Sequence, residues 1–391
     1  MTSRPRLAAV LLTESCDPNC RIAGLTIDER LMLALHHGGI QQVVFLGGGR
    51  VPHSQRAPLT ILDPADVDLA PGDTFVLLPA DIVFDRGLLA KAPRDIPKDA
   101  ALRILPAARW SDVRDRPDKW LRTLGPGHVP HPQRQDFALR VTSRAAARQA
   151  SRALYRSLVK PIDGLVSRHL NRKISVALTR LLVKTPLRPN TLTLFISALG
   201  LLSGVAAFFP EHTLALVLAG VLFQTQSILD GCDGELARLR FQFSTRGQWL
   251  DTIGDDLTNY AFCLGLGLGQ ARVLDAPWLV AAALVVLLFQ LWSSGIMYQR
   301  IYKMKTGDLL ALPNLVSSGP PKGLPGKLLR WIHTLSKRDT FVLITAVITA
   351  AGYPLVAFGI IGVGSIFMAP SLTLNEIRIR RALRDGTLQL P

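Results

Sequence analysis

Six apolar stretches crowd the second half of this chain, at about 191–209, 212–230, 248–270, 276–297, 340–352 and 354–372. Most are too long and too poor in charge for core helices of a soluble domain, and they approach the roughly 20 residues that a helix needs to cross a bilayer. The fifth is the shortest. The mean hydropathy of +0.26 is correspondingly high. Composition excludes disordered, collagen-like and disulfide-scaffold classes. The four cysteines, Cys16, Cys20, Cys232 and Cys263, form neither a disulfide framework nor a paired CxxC zinc signature.

Charge sets the orientation. The 391 residues hold 45 Lys+Arg and 29 Asp+Glu, a net +16, and residues 101–190 alone hold 19 bases and 5 acids, or 14 of those 16 charges. A basic stretch directly before apolar spans reads as a cytoplasmic collar attracted to anionic headgroups. Nucleic-acid binding is the rival explanation of so many arginines, but the neighbouring spans already account for them, so no nucleic-acid partner is expected. Segment 298–338 carries 8 Lys+Arg and one acid, and the 238–246 loop carries Arg238, Arg240 and Arg246. Among Lys and Arg, the opposite connections hold only Arg272. The positive-inside rule then puts both termini in the cytoplasm of a multi-pass inner-membrane protein.

Residues 1–110 read as an α/β unit. Leu7–Leu12, Gln42–Leu46 and Thr74–Leu78 have strand length, and Ile27–His36 is an amphipathic helical stretch ending at Gly38–Gly39. Strands alternating with helix predict a parallel, Rossmann-like cytoplasmic sheet. Leu7–Leu12 is too short for a signal peptide. Residues 111–150 are polar, with Pro117, Pro126, Pro130 and Pro132, and read as a linker in which His128 and His131 are solvated rather than metal-bound. In 151–190, Leu154, Leu158, Ile162, Leu165, Ile174, Leu178, Leu181 and Leu182 recur between arginines, the pattern of an interfacial amphipathic helix or helix pair. A membrane domain over 191–375 and a basic tail over 376–391, with Arg378, Arg380 and Arg381, complete the chain.

Carboxylates are expensive in hydrocarbon, so acids inside spans are functional candidates. Asp230 and Asp233 are spaced i,i+3, and Asp251 and Asp255 are spaced i,i+4, at the cytoplasmic ends of the second and third spans. Each pair shares a helical face. On antiparallel neighbouring helices the four would converge and repel one another unless a divalent cation holds them. All-oxygen ligation favours Mg²⁺, Mn²⁺ or Ca²⁺ over zinc. Gly234 and Ala237 leave room beside that face, Arg238 offers a phosphate fork, and Gly247 opens the next helix one turn before Asp251. Asp256 lies off the shared face and reads as a water-exposed helix-end residue.

Together, Asp230-x2-Asp233-Gly234-x2-Ala237-Arg238-x8-Gly247-x3-Asp251-x3-Asp255 resembles the signature of the CDP-alcohol phosphotransferase (phosphatidyltransferase) family. Thr185-Pro186-Leu187-Arg188-Pro189-Asn190-Thr191-Leu192-Thr193 is similar to the approach to that family's first span. The resemblance implies six spans and an interfacial helix. It also implies that Asp230, Asp233 and Asp251 hold two Mg²⁺ ions on the diphosphate of a CDP-linked donor, with Mn²⁺ a possible substitute. Asp255, beside the metals, would be the general base, and Gly234, Ala237, Arg238 and Gly247 would line the nucleotide site. The acceptor hydroxyl would displace CMP and leave a phosphodiester. The donor is of the CDP-diacylglycerol or CDP-inositol type, the acceptor an alcohol such as inositol or an inositol phosphate, and the family expectation is a homodimer. For an anionic acceptor, Arg246, Arg300 and Lys303 are candidate partners.

Lys160-Pro161-Ile162-Asp163-Gly164-Leu165-Val166-Ser167-Arg168 and Asn171-Arg172-Lys173-Ile174-Ser175 resemble the collar of the subgroup that joins a nucleotidyltransferase-like domain to this membrane enzyme, the bifunctional inositol-phosphate cytidylyltransferases/di-myo-inositol-phosphate phosphate synthases. Leu78-Pro79-Ala80-Asp81 resembles the strand that ends in a metal-binding aspartate in such domains. The phosphate loop departs from the pattern: Thr13-Glu14-Ser15-Cys16-Asp17-Pro18-Asn19-Cys20-Arg21 lacks the glycines that let amides approach phosphate. The unit is therefore expected to be a degenerate docking or regulatory domain, the alternative being an active cytidylyltransferase. From another class, a cation- or proton-coupled transporter could use the acidic cluster as an ion site. It would need no Ala237-Arg238 or Gly247.

Overall fold

The computed structural model describes residues 5–13, 20–91, 95–96, 100–125, 127–128, 137–159, 163–304 and 338–385. Cys16, His131 and most of the expected phosphate loop lie outside the described residues, as does most of the basic segment 298–338. The chain forms two compact units: Met1–Pro161 with Leu239–Phe241, and Ile162–Arg238 with Gln242–Pro391.

In the first unit β1 (Leu7–Leu11) leads through a short ladder of β2 (Arg21–Ile22) and β3 (Leu25–Thr26) into α1 (Ile27–His37). Then come β4 (Gln42–Leu46), β5 (Thr60–Leu62), β6 (Thr74–Pro79), β7 (Ile82–Phe84) and β8 (Arg103–Pro106). The main sheet has the order β5-β4-β1-β6-β8. β1 runs parallel to β4 and β6, β4 parallel to β5, and β8 antiparallel along the edge of β6. Every residue of β1 is buried, as a continuous apolar strand covered on both faces requires. On one face Leu31, Ala34 and Leu35 of α1 pack with Val10, Val43, Val76 and Leu78. On the other, Leu7, Ala9, Leu11, Phe75 and Leu77 pack with Trp110 and Val113.

That second face corrects the expected linker. Residues 111–150 contain most of α2 (Trp110–Asp115), α3 (Pro117–Thr123), β9 (Gly127–His128), β10 (Ala138–Arg140) and half of α4 (Arg144–Ser157). β10 pairs antiparallel with β7 and β9. These elements bury few apolar side chains, such as Val113, Leu139 and Ala150, so their composition stays polar although they hold regular structure.

The second unit begins with a short π-turn at Ser167–Asn171 and α5 (Arg172–Leu182), followed by α6 (Pro189–Ala207), α7 (Thr213–Arg240), α8 (Thr245–Val273) and α9 (Pro277–Lys303), then α10 (Arg338–Ala350) and α11 (Pro354–Arg384). Among the described residues, α6, α7, α9 and the Pro354–Arg381 part of α11 are long and apolar enough to cross a bilayer, which marks an integral membrane protein. α8 has the length, but Asp251, Asp255 and Asp256 lower its hydropathy. The described residues of α10 number 13 and rise ~20 Å, against a hydrocarbon thickness of ~30 Å. α6 and α8 touch backbone to backbone: a Cβ on Gly204 would come within 2.5 Å of the Ala261 carbonyl. Phe223 of α7 stacks on Phe262 of α8 with centroids 3.9 Å apart.

α5 is amphipathic in an inverted sense. It buries Ser175, Val176 and Thr179, while Ile174 and Leu181, together with Leu170 just before it, are exposed.

Candidate active site

α7 and α8 each deliver acids to one place. Asp230, Asp251 and Asp255 each offer an oxygen, and these oxygens all lie within 4.8 Å of one another. Three like charges this close need a compensating cation. Part of it is a residue that spacing alone did not reveal. Arg338, the first residue of α10, donates from Nη1 to Asp230 Oδ2 (3.2 Å) and from Nη2 to Asp255 Oδ1 (2.5 Å). Gln226, one turn before Asp230, donates to the same Asp255 oxygen at 3.0 Å. Asp251 Oδ1 is buried and, among the described residues, accepts no hydrogen bond. A buried carboxylate oxygen without a donor is costly, and a hard divalent cation supplies what an all-oxygen set of this kind lacks.

Asp233, expected in the same set, is not in this group of three. Its carboxylate accepts from the Thr193 hydroxyl of α6 and from the Gly234 amide. The i,i+3 spacing puts it on the face of Asp230, but Thr193 draws it toward α6. Asp256 is not the water-exposed residue expected: it accepts from the hydroxyls of Tyr298 (2.6 Å) and Tyr260 (3.4 Å), and Tyr260 also reaches Ser294.

The small residues differ in what they make room for. A Cβ on Gly234 would meet only Arg238 Nη1 at 3.7 Å, so space beside the acids is open there. A Cβ on Gly247 would fall 2.9 Å from Asn190 Oδ1. Its amide is capped by Ser244 Oγ at 3.1 Å. Ala237 is half-buried between them in sequence, and Arg238 Nε is buried without a hydrogen-bond partner among the described residues. Of the candidate acceptor residues, Arg300 is paired with Glu376 of α11 at 3.1 Å, while Arg246 and Lys303 are exposed.

A second charge cluster braces α7 from its neighbouring face. Glu235 is fully buried and accepts from Arg172 Nη1 (2.8 Å), Ser175 Oγ (2.7 Å) and Thr179 Oγ1 (2.7 Å) of α5. Arg172 also grips Asp163 through two nitrogens, at 3.0 and 3.3 Å. These bonds push the Arg172 guanidinium above its ordinary value despite the opposing effect of burial. One helical turn back, Gly231 leaves space for Arg172, whose Nη1 would lie 2.8 Å from a Cβ there. Glu235 sits between Gly234 and Ala237 of the signature, which was the one available clue to it.

In the first unit, Asp81 does not present a free carboxylate. It is fully buried and takes two hydrogen bonds from Arg140 of β10, at 3.0 and 2.9 Å.

Residues 187–370 match the CDP-alcohol phosphatidyltransferase family. This segment, just under half of the chain, contains Asp230, Asp233, Asp251, Asp255 and Asp256 and is a member of that enzyme family. The chain is 40% identical over 123 residues to the bifunctional IPC transferase and DIPP synthase of Archaeoglobus fulgidus, covering 31% of this chain and 24% of that protein. It is 40% identical over 141 residues to the protein of the same name from Thermococcus kodakarensis, covering 36% and 31%. Against that of Aquifex aeolicus it is 34% identical over 148 residues, covering 37% and 33%. The matches thus span about a quarter to a third of the length of these relatives.

Proposed function

We propose that this chain is a Mg²⁺-dependent CDP-alcohol phosphotransferase, transferring a phospho-alcohol group from a CDP-linked donor to an acceptor hydroxyl with release of CMP. The observation that carries the reading is the convergence of Asp230, Asp251 and Asp255, with the buried Asp251 oxygen left without a donor. These three acids, with Asp233 beside them on α7, would hold the divalent cations, Mg²⁺ or Mn²⁺. The ions would polarise the donor's phosphoryl oxygens and offset the charge that builds on the leaving CMP. Asp255, fixed by Gln226 and Arg338, takes the proton of the attacking hydroxyl. Gly234 leaves the gap beside the acids through which the nucleotide approaches, and Arg238, with Ala237 and Gly247 near it in the signature, faces the donor's phosphates.

The relatives named as IPC transferases and DIPP synthases favour an inositol-phosphate chemistry, with a CDP-inositol or CDP-diacylglycerol donor and inositol or an inositol phosphate as acceptor. Arg246 in the first turn of α8 and Arg300 and Lys303 in the last turn of α9 lie at helix ends proposed to face the cytoplasm. The membrane domain is proposed to cross six times, α8 and α10 adding to the four long helices, with active site and N-terminal unit on the cytoplasmic side of the inner membrane, as a homodimer. α5, apolar side outward, would lie in the headgroup layer. The N-terminal unit is proposed to be a degenerate nucleotidyltransferase-like domain, because Arg140 already occupies both oxygens of Asp81. Purified protein given each donor with a panel of alcohols, inositol and inositol 1-phosphate tests the assignment. One donor–acceptor pair should yield CMP and a phosphodiester, and CMP from no pair would remove the proposal.

A further inference from the structure

α4 carries Arg144, Arg148, Arg152 and Arg156 at successive i,i+4 positions, and all four are exposed. Its opposite side is fixed: Ala150 and Ala153, with Ala147 and Leu154 beside them, pack into a cluster with Ile22, Ile27, Val83, Phe137 and Leu139. A step of four residues advances 40° around a helix, so the arginines form one stripe pointing away from the unit's own core. Like charges at this spacing repel each other. Among the described residues no carboxylate lies within 4.0 Å of any of them. The chain's own net charge of +16 makes a second copy a poor complement.

We propose that this stripe is a docking surface for the anionic phospholipid headgroups of the membrane that the chain's long apolar helices enter. The inference rests on those helices spanning a bilayer. Only 31 residues separate Ser157 from Pro189, the first residue of the first long apolar helix, so α4 is tethered to a lipid surface at high effective concentration. Guanidinium forks match phosphodiester oxygens, and basic residues near an anionic leaflet gain affinity that salt screens away. A soluble polyanion such as RNA has the same phosphate chemistry but no tether.

The test uses the full chain in nanodiscs of phosphatidylcholine, alone or with a third replaced by phosphatidylglycerol. Modification of Arg148 by p-hydroxyphenylglyoxal is followed by mass spectrometry, with Arg116 and Arg122, exposed elsewhere on the same unit, as internal controls. Arg148 should react several-fold more slowly in the anionic discs at low salt, with the controls unchanged. The protection should vanish at high salt and in a variant with Arg144→Gln, Arg152→Gln and Arg156→Gln, which keeps helix propensity. Equal reactivity of Arg148 in both lipids overturns the proposal, and so does protection by added RNA but not by lipid. Failure of the protein to enter discs at all would instead strike at the membrane reading beneath it.

Discussion

The guanidinium of Arg338 bonds Asp255 across 83 positions of sequence, and its other terminal nitrogen reaches Asp230. A cation from the start of α10 thus ties together acids of α7 and α8, and its removal should have two opposite effects. Arg338→Gln is predicted to slow CMP release about tenfold, the lower end for a charged hydrogen bond because the side chain is 37% exposed and partly screened. The same change should tighten Mn²⁺ binding, since a competing positive charge has left the carboxylates. Turnover assays and titration by electron paramagnetic resonance read the two effects separately.

Gly234 and Gly204 make a matched pair of tests. A methyl group at Gly234 meets nothing closer than 3.7 Å, whereas at Gly204 it meets the Ala261 backbone at 2.5 Å. Gly234→Ala should therefore unfold at the wild-type temperature in detergent yet lose most of its turnover, since the space it fills is the ligand's. Gly204→Ala should lower stability by ~1–3 kcal/mol through overpacking of α6 against α8.

Breaking the Arg172–Glu235 pair leaves a buried charge without its partner. Glu235→Leu or Arg172→Met alone is predicted to cost ~3–5 kcal/mol, and the double variant substantially less. Thermal unfolding of the four proteins in one detergent completes the cycle. A double variant as unstable as the sum of the single ones would show that the pair is not coupled.

Asp81→Asn should leave CMP release untouched while destabilising the N-terminal unit, because Arg140 loses its bidentate partner. Limited proteolysis of that unit and the membrane activity can be followed in the same sample. Loss of a cytidylyltransferase activity in this variant, with the unit intact, would contradict the degenerate-domain reading.

What the sequence makes legible follows from how local the signal is. Gln42–Leu46 is a strand over the residues its apolar run predicts, and Ile27–His37 extends the expected helix by one residue. In both, burial writes itself into consecutive residues. Helix periodicity likewise predicts that Asp251 and Asp255 share a face. Arg338 was not visible as a site residue because its tie to Asp230 and Asp255 spans 108 and 83 positions, and nothing in spacing encodes a contact at that range. The first half of α4 was hidden for a different reason: its buried side uses alanines, which add little apolar contrast, and its arginines resemble a solvated linker. Asp233 shows the limit of periodicity, since a hydroxyl on another helix decides where a carboxylate of the right phase turns.

Asp230, Asp251 and Asp255 are proposed to form a divalent-metal centre for CDP-alcohol chemistry. The most direct measurement follows CMP release by purified wild-type protein, Asp251→Asn and Asp255→Asn, with Mg²⁺ and after its removal by EDTA. Release is expected from the wild type only, abolished by EDTA and restored by excess Mg²⁺ or Mn²⁺. Asp251→Asn should also bind Mn²⁺ more weakly, while Asp255→Asn, acting on the proton, should lose turnover more than metal. CMP release that persists in EDTA, or in both variants, would contradict a metal centre built on these three acids.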